Sequence, residues 1–101
     1  MHPELATRRR VLRASYQRYL EADRQWRAAL REVRLWFPGS DGALHAAMGN
    51  PGSRVRHLYE TRMRALARLE VARQKLGTAR RRFAERQRTV ELRMISVSLA
   101  D

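Results

Sequence analysis

Arginine supplies nearly all the chemistry this sequence offers. Of its 22 basic residues only Lys75 is a lysine; with 10 acidic residues the formal net charge is +12. Two uninterrupted triplets, Arg8-Arg9-Arg10 and Arg80-Arg81-Arg82, are flanked by Arg13 and Arg86. A guanidinium presents a planar fork of donors that matches a phosphate or a carboxylate. These eight residues are therefore the candidates for an anion or nucleic-acid site, gripping phosphates with strongly salt-dependent affinity. No base-reading motif accompanies them, neither helix-turn-helix nor zinc finger nor single-strand stacking platform. A GC-rich genome accounts for Arg in place of Lys. It leaves the excess of positive charge unexplained, and that excess favours an anionic partner. The competing reading is a solvated charged face.

Other reactive groups are sparse. His2, His45 and His57 lack ligand-like spacing and no cysteine supports them, so neither a zinc site nor thiol chemistry is expected. Ser40, Asp41 and His45 share one stretch, but proximity in a loop does not orient a nucleophile on a base. No glycine-rich phosphate loop follows a strand. The expectation is a non-enzyme with no cofactor, no metal and no small-molecule substrate. Thr7 to Arg13 has the residue types of a twin-arginine export signal. Arg18, Glu21, Asp23 and Arg24 then fall where such a signal needs an apolar core. No apolar run approaches the roughly 20 residues of a membrane span, so a cytoplasmic chain is expected.

The elements that must carry these groups are written as two ladders. Leu5, Leu12, Tyr19, Trp26 and Val33 recur every seventh residue, with Tyr16, Leu30 and Phe37 interleaved. Val55, Leu69, Leu76, Phe83 and Val90 do the same, with Tyr59, Leu66 and Met94 interleaved. Alternating steps of three and four place each set on one stripe of a helix, ready to pack on another helix. Pro3 and Glu4 suit a helix start. Residues 38–52 carry four Gly and two Pro and break the helix. Asn50 before Pro51, or Ser53, can cap the second helix. The predicted architecture is all-α, a single domain over 1–101 in which two long antiparallel helices form a coiled-coil-like hairpin. Its parts are a helix over 3–37, a connector over 38–52, a helix over 53–94 and a tail over 95–101. Ala43 to Met48 is expected to make one turn and tuck Leu44 and Met48 against Trp36 and Phe37.

Placing Trp36 near Arg54 gives a register in which facing residue numbers add to about 90. Both Arg triplets then fall at the same height, and Ala65, Ala72 and Ala79 make room for Tyr and Trp rings. Asp23, Arg62, Arg73 and Arg80 interrupt the seam. Asp23 is positioned to pair with Arg62 or Arg73 and help fix register, while the long Arg side chains are expected to snorkel at the seam edge. Residues beyond about 88 lack a partner in the first helix. Val90, Leu92, Met94, Ile95, Val97 and Leu99 are therefore candidates for a protein interface, and Met94 to Leu99 alternates like a strand.

These readings favour a protein-binding, adaptor or assembly module that meets a protein partner or forms a homo-oligomer. The alternative is sequence-nonspecific binding to a DNA or RNA backbone through the clustered arginines.

Overall fold

The computed structural model describes residues 2–39 and 41–100. Three helices follow one another: α1 over Pro3–Trp36, α2 over Asp41–Gly49 and α3 over Arg54–Ala100. α1 and α3 pack side by side as an all-α hairpin, and the molecule is a rod of 80 × 21 × 19 Å.

Local chemistry sets the ends of each helix. The Nδ1 of His2 accepts a hydrogen bond from the Glu4 N–H at 3.2 Å, capping α1, and Pro3 occupies the first turn. At the far end Phe37 N–H donates to the Val33 carbonyl at 2.9 Å. Pro38 then blocks continuation, because it forces the residue before it out of helical geometry. Phe37 indeed has φ −131 and ψ 64. Gly39, at φ 76, takes a left-handed conformation that a side chain would resist.

The connector holds more structure than one turn. α2 runs nine residues and is tied to the start of α3. The Ser53 hydroxyl donates to the Ala47 carbonyl and accepts from Arg56 N–H, so Ser53 rather than Asn50 caps α3. Asn50 makes an Asx turn instead, its Oδ1 accepting from Gly52 N–H at 3.0 Å. Arg56 donates to the Met48 carbonyl at 3.2 Å and closes the corner.

The core is a single seam. Its buried residues are Ala22, Ala29, Val55, Leu69, Ala72, Leu76 and Ala79, four of them alanine. Small side chains let the backbones approach, and Tyr19, Trp26 and Tyr59 lie half-buried along the edges. Ala72 and Ala79 are buried as expected; Ala65 is half-buried.

The register differs from the one expected. His2 meets Phe83, Asp23 meets Arg62, Trp26 meets Tyr59 and Glu32 meets Arg54, so facing numbers add to 85 or 86. That is a slip of about five residues, roughly 7 Å along the axis. Its cause is the connector: α2 is long enough for α1 to overshoot the start of α3. Leu35, Trp36 and Phe37 consequently project past the seam, with Trp36 79% exposed rather than tucked under Leu44 and Met48.

The expected tail is also helix. α3 continues to Ala100. Met94 to Leu99 alternates, but without a neighbouring strand only a helix satisfies its backbone groups internally. No Gly or Pro intervenes to stop it. Among the described residues no helix is long and apolar enough to cross a membrane.

Candidate functional site

The centre of the hairpin is held by a polar cluster. Arg62 Nε donates to Asp23 Oδ1 at 2.7 Å and its Nη2 donates to Tyr19 Oη at 2.9 Å. The same guanidinium lies over the Tyr19 ring at 5.3 Å and the Trp26 ring at 5.0 Å. Arg27 pairs with the second Asp23 oxygen at 2.9 Å. Side-chain exposure is 19% for Arg62 and 16% for Asp23, so Arg62 is sandwiched in the seam instead of snorkelling at its edge. The Asp23 hydrogen bond holds the Arg62 guanidinium above its ordinary pKa, with partial burial opposing. Arg73 and Arg80 do lie at the edge and are exposed.

The register slip offsets the two Arg triplets by roughly 7 Å along the axis. Arg8 to Arg10 face the stretch around 75–77, and Arg80 to Arg82 face the first turn of α1. Consecutive side chains within each triplet point about 100° apart. The arginines are therefore distributed over several surfaces, and Arg9 and Arg80 border one groove. Arg9, Arg13, Arg73 and Arg80 rim a groove between the helices, floored by Leu12, Tyr16, Leu69 and Leu76, with a volume of about 540 Å³. On the opposite face Arg8, Arg68 and Lys75 border a groove of about 400 Å³ over Val11, Ala67, Val71 and Ala72. Arg81 donates to Thr78 Oγ1 at 3.2 Å. Arg82 and Arg86 border a shallow concavity with Val90 and Arg93 on the lone end of α3. Arg10 is exposed on the outside of α1.

Neither groove is lined by a carboxylate. Glu70 ion-pairs with Arg73 at 3.2 Å, from outside the first groove. The floor of that groove was readable in principle. Arg9, Arg13 and Tyr16 on α1, and Leu69, Arg73, Leu76 and Arg80 on α3, recur at steps of three and four. Arg73 and Arg80 are the seam-edge arginines expected from the sequence; placing Arg9 and Arg13 across the groove from them requires the observed register.

α1 reaches only as far as Phe83, so the overhang begins there rather than near residue 88. Residues 84–100 extend roughly 25 Å beyond the hairpin. All six candidate interface residues, Val90, Leu92, Met94, Ile95, Val97 and Leu99, are exposed. They do not form one face. At ~100° per residue Val90, Met94 and Val97 continue the seam stripe of Leu76 and Phe83, whereas Leu92, Ile95 and Leu99 lie on the opposite side.

Among the described residues no group of three or more His, Asp or Glu could hold a metal ion. Ser40 lies outside the described residues, so its relation to Asp41 and His45 is not drawn. His2 is engaged as a cap and packs its ring 5.5 Å from that of Phe83. No protein-family model, curated protein or solved structure matches this chain.

Proposed function

We propose that this chain is a non-enzymatic adaptor or assembly module of the cytoplasm that presents helical surfaces to protein partners. The observation that carries the reading is the thinness of its core. A single seam with seven buried residues among those described, mostly alanine, leaves apolar rows open in both grooves and along the overhang. Two packed helices bury a small share of their surface, and a further helix is the ordinary means of covering the remainder.

Nucleic-acid binding is the alternative, supported by the excess of arginine around both grooves. It is weakened by helix geometry, which points the three arginines of each triplet about 100° apart and spreads the charge over several faces. Titration of the full chain against a labelled duplex and a labelled single strand separates the readings. Weak binding at about 0.15 M salt is expected, because surface attraction alone is screened over the ~8 Å Debye length. Tight binding with a steep salt slope, lost in the Arg9→Glu/Arg81→Glu double variant, would establish the alternative instead.

A further inference from the structure

We infer that the groove between Arg9 and Arg13 on α1 and Arg73 and Arg80 on α3 receives an acidic amphipathic helix, completing a three-helix bundle. The inference rests on the protein-binding reading and adds to it the surface and the chemistry of the partner.

The floor comes first. Leu69 and Leu76 are buried in the seam, Leu12 is half-buried, and Tyr16 stands 50% exposed beside them. This makes an apolar strip parallel to the helix axes, lying in the valley between two helices. A third helix packs into such a valley with its own apolar stripe, at an interaxial distance of about 8–10 Å.

The rim gives the sign of the charge. Four guanidiniums border the strip and no carboxylate lines it. The positions flanking the apolar stripe of a docked helix would lie against Arg9 and Arg13 on one side and Arg73 and Arg80 on the other. Those flanking positions must carry Asp or Glu, because a Lys or Arg there would face like charge in a partly dry groove. Arg73 already shares Glu70, and that exposed pair is weak enough to be exchanged for a second carboxylate.

The same features discriminate among anionic partners. A nucleic-acid backbone would meet the rim charges but leave Leu12 and Tyr16 uncovered. A lipid surface is flat, and cannot reach a floor recessed between two helices. Only a helix with an apolar stripe between acidic flanks satisfies both floor and rim. The opposite groove has a shallower floor of Val and Ala and a smaller volume, so it is the lesser candidate.

The test uses the full chain and three labelled helical peptides of equal length. One carries Leu at i, i+3, i+4 and i+7 with flanking Glu. The second has the same composition scrambled, and the third has Lys in place of Glu. Anisotropy at physiological salt is expected to show one acidic amphipathic peptide bound per chain. The scrambled peptide should bind at least about tenfold more weakly, a difference of ~1.4 kcal/mol, and the Lys peptide should not bind. Tyr16→Asp, and separately Arg13→Glu/Arg80→Glu, should each weaken binding about tenfold or more. Arg18→Glu/Arg88→Glu, with the same change of charge away from the groove, should leave it unchanged. Circular dichroism of each variant confirms that the helices persist.

Equal binding of the scrambled peptide would overturn the inference, since charge alone would then suffice. Absence of binding would overturn it too. Binding that survives the groove variants but is lost in Met94→Asp/Val97→Asp would move the partner to the overhang, leaving the protein-binding reading intact. No peptide binding together with salt-steep duplex binding would sink both.

Discussion

At the scale of single residues, the hairpin depends on one arginine and its surroundings. Arg62 is the residue at which both helices agree on register, since its guanidinium engages Asp23, Tyr19 and Trp26 together. Asp23→Ala would leave that cation between two rings without its carboxylate. We expect a loss of about 1–3 kcal/mol in urea unfolding, the range for stranding a half-buried polar group. A change within about 0.5 kcal/mol, as for an ordinary surface substitution, would show that the pair is incidental. Because the Arg62 pKa is raised in the folded chain, its contribution is fully present at neutral pH and fades only in strong alkali. Asp23 was legible as a register residue because it interrupts an otherwise apolar stripe. The burial of Arg62 was not, because snorkelling and sandwiching look alike until the facing rings are known.

At the scale of elements, the two long helices were legible because their seven-residue ladders run with only Gly77 inside and no proline after Pro3 until Pro38. Three things were not. α2 hides among glycines that discourage a helix in isolation, yet it is stabilised by Ser53 and Arg56, which belong to the next element. The last stretch of α3 alternates in a way that mimics a strand. Register depended on the connector, and a connector that folds back lets α1 overshoot. The division between seam and overhang gives a paired prediction. Leu76→Ala, in the seam, should cost about 2–3 kcal/mol, the low end for a buried leucine because an adjacent open groove can relax. Gln87→Pro breaks the helix beyond Phe83, where no α1 residue is packed, and should shift unfolding by less than about 1 kcal/mol despite proline's ~3 kcal/mol helix penalty. That follows if the overhang unfolds separately. Equal losses in the two variants would place residue 87 inside the cooperative unit.

At the scale of the whole molecule, a rod of 80 Å carries a net charge of +12 around a thin, alanine-rich seam. Like charges outnumber the ion pairs that could offset them, so self-repulsion opposes folding. Raising salt from about 0.02 M to 0.2 M should therefore raise the urea midpoint, by screening repulsion over a shortening Debye length. A fall would mean that the pairs, Arg62 with Asp23 foremost, outweigh the repulsion. The fold class and an overhanging end of α3 were legible at this scale; the two grooves and the exact start of the overhang were not, because they depend on where α1 stops along α3. The seam between α1 and α3 ends at Phe83, and α3 beyond it is uncovered. Amide hydrogen exchange along α3, at a dilution where sedimentation gives the 11.9 kDa monomer, tests it most directly. Protected amides are expected from about Val55 to Phe83, with a step to rapid exchange over 84–100. Protection continuing through Val90 and Val97 in the monomer would contradict it, because the chain would then be covering its own overhang.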